Sequence, residues 1–265
     1  VYRTDQARAG NTIFTALFLK TCGSRQSSGL AQSFMCAGHG AAAARLWVAL
    51  LVTGFSHSHA GAVAATPLEH LNVFLTPHSH DDLCWHKTMP DYYSEEVVHI
   101  YNSVTDSLWR DPSLRFNFAE IGFLRMWWED KNVTDISRQR FRALLAEPRR
   151  QIEIVGGGYS QNDEAVTDRT AMVNQMTLGH AWINTTFGIN AMPEISWSLD
   201  PFGQTPSAMS AFHQMGFKAA VIDRLPYDSK KHLAEKQQLE FLWDTDPQAS
   251  FQSPIFTHVL HTMLS

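Results

Sequence analysis

Val73-Phe74-Leu75-Thr76-Pro77-His78-Ser79-His80-Asp81-Asp82-Leu83-Cys84-Trp85 is the stretch that decides how the chain is read. The apolar run Val73-Phe74-Leu75 predicts a buried strand, and it leads directly into His78, His80, Asp81 and Asp82. Side chains of an extended backbone alternate, so His80 and Asp82 point to the same side. An imidazole and a carboxylate aimed together from a strand end are two ready ligands for a divalent metal, zinc foremost. A polar loop whose histidines merely cap a strand would show the same two residues. The choice between these readings rests on what the rest of the chain delivers to the same place.

Downstream of Trp85 the hydrophobic pattern switches repeatedly between strand and helix periods. Pro90-Asp91 opens a helix with Val97, Tyr101, Val104 and Leu108 on one face, and Asp111-Pro112 ends it. Leu114–Phe118 alternates as a strand and delivers Glu120. Helices are predicted over Ile121–Glu129 and Ile136–Ala146. The strand Gln151–Val155 leads to Gly156-Gly157-Gly158, where the backbone must turn sharply or approach a neighbour closely. Asp168–Phe187 is the longest helix, with Met172, Met176, Ala181 and Ile183 as core candidates and Gly188 as its stop. Strands follow at Ile195–Leu199, Ala219–Ile222, Leu239–Trp243 and Ile255–Leu260, with a helix over Ser207–Met215. This alternation points to an α/β domain with a parallel sheet, open or curled toward a barrel.

In such folds the chemistry gathers outside the carboxyl ends of the strands. Here those ends carry His78, His80, Asp82, Glu120, Asn162, Asp163, Asp200 and Arg224. Asp200 lies in Trp197-Ser198-Leu199-Asp200-Pro201-Phe202-Gly203. Pro201 keeps Asp200 extended and Gly203 permits a tight turn, so a carboxylate is held at a strand tip. That suits a metal ligand or a nucleophile; an ordinary Asp-Pro turn is the alternative. Arg224 would aim such a carboxylate and lower its pKa, or else form an ordinary ion pair at a sheet edge. Trp85 can stack on a sugar face or pack in the core, whereas Trp127 and Trp128 are assigned to the core.

The chain of 265 residues is long enough for one large domain or two small ones. A net charge of −5, with Lys and Arg scattered, predicts no nucleic-acid surface. Residues 1–65 are rich in Ala, Ser and Gly without sustained periodicity, and are read as a disordered N-terminal segment. Within it, Met35–Ala64 has the layout of a signal peptide: Arg45, the apolar run Leu46–Val52, then small-residue sites near Ala60–Ala64. The run is too short for a stable membrane span. Asn132-Val133-Thr134 and Asn184-Thr185-Thr186 are glycosylation sequons in keeping with a secretory route. Of three cysteines, Cys22 and Cys36 fall in the N-terminal segment and Cys84 stands alone in residues 66–265. A zinc–thiolate cluster is therefore not expected, which leaves nitrogen and oxygen ligands.

The run Pro77–Thr88 resembles the zinc-site motif of the class II α-mannosidases, glycoside hydrolase family 38, with its closest likeness to the lysosomal branch. Gly157-Gly158 leading to Asn162-Asp163-Glu164-Ala165, then Asp200-Pro201-Phe202-Gly203, Arg224-Leu225-Pro226-Tyr227 and Leu239–Trp243, extend the likeness over about Leu71 to Leu260. The resemblance implies a parallel-stranded, distorted (β/α)7-type barrel, incomplete at the C-terminus, with residues 66–265 as a truncated N-terminal catalytic domain. It implies a zinc-dependent retaining α-mannosidase that trims N-linked glycans in the lysosome or a related acidic vacuole. His80, Asp82 and Asp200 are then the zinc ligands, Asp200 also the nucleophile, with Arg224 beside it. Trp85, Asp81 and Tyr227 are the substrate contacts. Two departures stand out. Cys84 replaces the family's usual glycine before the tryptophan, and the family's fourth zinc ligand and acid/base aspartate are expected beyond Ser265. His258 and His261 are read as structural or solvated, not as substitutes. Metal-dependent carbohydrate deacetylation, or sugar binding without catalysis, are the competing readings.

Overall fold

The computed structural model describes residues 12–15, 18–19, 72–245 and 254–261. The chain divides into two units, one of residues 1–21 and 71–265 and one of residues 22–70. The second unit, and with it the expected signal peptide Met35–Ala64, lies outside the described residues.

In the first unit the elements follow in the order β1 (Thr12–Thr15), β2 (Phe18–Leu19), β3 (Asn72–Leu75), β4 (His78–Ser79) and α1 (Met89–Tyr92). Helix α1 runs through a wider turn, Tyr93–Val97, into α2 (Val98–Arg110). Then come β5 (Phe116–Phe118), α3 (Ile121–Glu129), α4 (Asp135–Leu145), β6 (Ile152–Ile154), α5 (Arg169–Phe187), β7 (Ile195–Ser198) and α6 (Pro206–Gln214). The last are β8 (Ala219–Ile222), α7 (Tyr227–Glu235), β9 (Glu240–Trp243) and β10 (Ile255–Val259). Residues 1–65 were expected to carry no element, yet β1 and β2 pair parallel with β3 and β4. Pairing of this kind uses main-chain groups that every residue but proline has in full, so composition is a poor guide to it.

Two four-stranded sheets form, in the orders β2-β4-β5-β6 and β7-β8-β10-β9. The first is parallel throughout. The second is parallel except that β9 runs antiparallel to β10. The Gly156 N–H donates to the Ile195 carbonyl at 2.8 Å, which ties the end of β6 to the start of β7. The expected parallel α/β architecture is therefore present. The closure into a (β/α)7-type barrel is not: among the described residues β9 and β2 end the strand order without pairing, and a barrel has no such edges.

Each element forms where its sequence supplies a buried face and a stop. Helix α2 buries Tyr101 and Leu108, and the preceding turn buries Val97. Phe116 and Phe118 alternate inward from β5. Tyr101 stacks on Phe118 at 4.4 Å between centroids, and Trp127 and Phe141 close the same cluster. A second core, built on Met209, Phe212, Ala220, Ile222, Ile255 and Val259, lies under the other sheet. Thr88, Thr134, Asp168 and Thr205 cap α1, α4, α5 and α6 with their side chains. Gly156 and Gly157 hold φ of 63° and 72°, the left-handed turn expected of them. In α5, Met172, Met176 and Ile183 are buried as expected, but Ala181 faces solvent and Gly179 takes the inner position. No described helix is long and apolar enough to cross a membrane.

Candidate metal centre

Three strand ends converge. His80 follows β4, Asp200 follows β7 after Leu199, and Arg224 follows β8. His80 is only 7% exposed. Its Nε2 lies 3.2 Å from Asp82 Oδ1 and 3.5 Å from Asp200 Oδ2. Arg224 donates from Nε to Asp200 Oδ1 at 2.9 Å, and its Nη2 reaches the same oxygen. Asp200 thus turns one oxygen to the guanidinium and the other to the imidazole.

The buried Nε2 makes no well-directed hydrogen bond, although two carboxylate oxygens stand close to it. Ligand atoms arranged around a shared point, not paired with one another, look like this. One atom each from His80, Asp82 and Asp200 lie within 4.8 Å of one another. Tetrahedral zinc with bonds of about 2.0–2.1 Å sets its ligand atoms roughly 3.3–3.4 Å apart. The two His80 separations, 3.2 and 3.5 Å, are close to that edge, so a nitrogen–oxygen donor set for zinc fits these residues.

Charge is arranged to match. Burial alone would lower the His80 imidazole. Its contacts with Asp200 and Asp82, with Glu120 behind it, outweigh burial and raise its pKa to about 10. The His80 contact, helped by Arg224 and opposed by burial, holds Asp200 down at about 2. Asp200 therefore stays ionised through the acidic range. Glu120 is buried, and burial lifts it above the usual carboxylate range.

The other expected strand-end residues divide. Glu120 sits directly behind His80, with Oε1 4.0 Å from Nδ1. His78 is buried edge-on against Trp197, and burial lowers its pKa to about 4, so it is a neutral packing residue. Asn162 and Asp163 serve their own loop: Asn162 accepts from Gln175, and Asp163 from the Ala165 N–H. Asp81, expected at the substrate, is 4% exposed. It is buried beside His80, and its charge acts on Tyr101 and Glu120. Trp85 and Tyr227 are exposed at 64% and 71%, and so is Phe202 at 66%, with the Arg224 guanidinium 4.7 Å from its ring centre. An open cavity of about 400 Å³ lies beside Trp85, lined also by Cys84, His86, Lys87, Asp91 and Glu95. Cys84 is exposed.

Two residues of the site carried no signal in the sequence. Phe202 sits in the Asp-Pro-Phe-Gly turn, where its exposure follows from the turn and not from a period. Gln161 lies between the glycine turn and Asn162; its side chain reaches both Glu120 and His80.

A parallel α/β domain with an imidazole–carboxylate cluster at its strand ends has the layout of a cation-binding enzyme domain. The chain belongs to glycosyl hydrolases family 38: the N-terminal domain of that family matches residues 70–264. Among relatives, alpha-mannosidase C of Dictyostelium discoideum is 41% identical over 206 residues, covering 72% of this chain and 18% of that protein. Lysosomal alpha-mannosidase of Mus musculus is 38% identical over 199 residues, covering 72% of this chain and 19% of that protein. The chain therefore spans less than a fifth of the length of these relatives. The crystal structure of an alpha-mannosidase from Enterococcus faecalis V583 shares the fold, with a TM-score of 0.53 at 18% identity, over 69% of this chain and 19% of that one.

Proposed function

We propose that this chain carries the metal-and-nucleophile part of a zinc-dependent, retaining α-mannosidase acting on mannose-terminated N-linked glycans. The convergence of His80, Asp82 and Asp200 on one point supports this most strongly. Membership of the family and the lysosomal name of one relative support the substrate class and an acidic secretory compartment. Asn132 and Asn184, both exposed, are the glycan acceptors of this reading.

His80, Asp82 and Asp200 would hold the zinc. When bound, zinc supplies a Lewis-acidic anchor for neighbouring sugar hydroxyls, such as the 2- and 3-hydroxyls of mannose. Asp200 attacks the anomeric carbon as the glycosidic carbon–oxygen bond breaks. Arg224 keeps the attacking carboxylate ionised and aimed. The leaving oxygen takes its proton from a second carboxylic acid, and that group later takes a proton from the water that displaces Asp200. No described residue is assigned this acid/base part. Trp85, Tyr227 and Phe202 form the sugar-facing rim.

An activated aryl α-mannoside tests the reading directly, because a phenolate leaves without being protonated. The zinc-loaded chain releases about one equivalent of phenolate and gains one hexosyl group on the peptide containing Asp200. Asp200→Asn abolishes both. Phenolate release unchanged in that variant would remove the nucleophile assignment. Release of acetate from an N-acetylated sugar without glycosidic cleavage would move the chain to the deacetylases.

A further inference from the structure

This inference rests on the zinc reading above. Gln161 reaches three strand ends with one side chain. Its Nε2 donates to Glu120 Oε1 at 2.7 Å and lies 3.2 Å from His80 Nδ1. Its Oε1 accepts from the Leu199 N–H at 3.4 Å. Glu120 follows β5, His80 follows β4, and Leu199 immediately precedes Asp200. The amide thus touches one ligand through its ring and the main chain that carries another.

The loop bearing Gln161 is itself fixed. The Tyr159 N–H donates to the main-chain carbonyl of Gln175 at 3.1 Å. The Ser160 N–H donates to the Gln175 side-chain oxygen at 3.2 Å, and Gln175 Nε2 donates to Asn162 Oδ1 at 3.1 Å. Gln175 lies within α5, so a rigid helix grips the loop on both sides of Gln161. The stiffness of α5 is passed on to the imidazole.

A histidine that offers Nε2 to a cation carries its proton on Nδ1, and that proton needs a partner. Among the described residues, Nδ1 has the Gln161 amide at 3.2 Å and Glu120 Oε1 at 4.0 Å beside it. With its oxygen accepting from the Leu199 N–H, the Gln161 amide turns its nitrogen toward Nδ1 and Glu120, so the acceptor for an Nδ1 proton is Glu120 Oε1, which Gln161 holds at 2.7 Å. We infer that Gln161 is a positioning residue for the metal: its amide holds Glu120, the acceptor behind the His80 ring, and ties that pair to the main chain leading into Asp200, so fixing the plane of the ring. The conserved chemistry of outer-shell partners at metal sites sets the scale, a loss of about 10–100-fold in affinity when one is removed.

The test uses the full 265-residue chain. Zinc affinity is measured by competition with a chromophoric chelator, the visible spectrum of the cobalt-substituted chain reports coordination geometry, and melting is followed without metal. Gln161→Met keeps the volume and removes every hydrogen bond. The expected result is zinc binding at least about tenfold weaker, a changed cobalt spectrum, and a Glu120→Gln, Gln161→Met double variant no worse than Gln161→Met alone. Gln161→Asn, which stays polar but falls one methylene short, gives the same loss of affinity in a folded chain should the methionine variant not fold. If both variants melt earlier yet the folded chain binds zinc within about twofold of the parent, Gln161 is a structural tie and the inference is overturned. His80→Ala separates the two levels. A parent chain that binds no zinc, or binds it equally well with His80→Ala, overturns the zinc reading and this inference with it. A parent that loses zinc with His80→Ala but not with either Gln161 variant overturns this inference alone.

Discussion

His80 is 7% exposed and gripped from behind by Gln161 and Glu120, whereas Trp85, Phe202 and Tyr227 are 64%, 66% and 71% exposed. One set is fixed before anything arrives. The other presents large apolar rings to water and can bury them only under a ligand. Cation ligation tolerates little error in distance, so its ligands belong on strand ends locked by hydrogen bonds. Stacking on a sugar face tolerates sliding, so exposed loop residues suffice. The contrast predicts that changes in the two sets separate cleanly into metal and sugar effects.

The largest effect should come from His80→Ala. Removal of the buried ligand is expected to weaken zinc binding roughly thousandfold, about 4 kcal/mol, in chelator competition. A loss smaller than tenfold would mean that Asp82 and Asp200 hold the ion without the imidazole, and the buried half of the comparison would lose its centre.

Glu164 asks whether burial alone is enough to couple a residue to the metal. Burial raises its pKa to about 7, against hydrogen bonds from Thr205 and with Asp163 adding to the rise. It accepts from the Thr205 N–H at 2.6 Å. Between the unfolded value near 4.5 and the folded value near 7, the folded chain holds a proton that the unfolded chain has lost. Stability therefore falls as pH rises through that window, by on the order of 3 kcal/mol from this group. Glu164→Gln should remove that component, seen as the difference between the denaturation profiles of parent and variant at about pH 4.5 and about pH 7.5. Zinc affinity should stay unchanged. An identical pH dependence in parent and variant would show that Glu164 is solvated rather than buried.

The line between what the sequence discloses and what it withholds follows the same physics. Helices α2, α3 and α5 and strands β5 and β8 are legible because each has an apolar face with a period and a recognisable stop. Helix α7 is not: its only buried residue is Lys230, anchored to Asp223 by an ion pair, so it has no apolar stripe to betray it. The pairing of β10 between β8 and β9, with one neighbour antiparallel, is likewise a matter of long-range register that no local pattern encodes. In the site, His80, Asp82, Asp200 and Arg224 were legible because strand-end position and proline restriction aim them. Asp81 is buried beside His80, a placement that no period in the sequence discloses because four successive residues from His78 are buried together. Gln161 left no trace, since an amide that works through three distant partners has no pattern along the chain.

Trp85→Ala tests the exposed half with a smaller effect. The ring stands 5.4 Å from the His86 ring and borders the open cavity. Truncation should weaken binding of a mannose-terminated oligosaccharide about tenfold in calorimetric titration, the scale of one stacked aromatic surface. Zinc affinity should stay within about twofold. Cys84→Gly is the control beside it: the thiol is exposed and borders the same cavity, so restoring the family's glycine should change sugar binding far less than loss of the ring. If Trp85→Ala instead lowered zinc and sugar affinity together, the rim would be part of the ligand scaffold. The separation into a fixed metal point and an adaptable surface would then fail where it is simplest to measure.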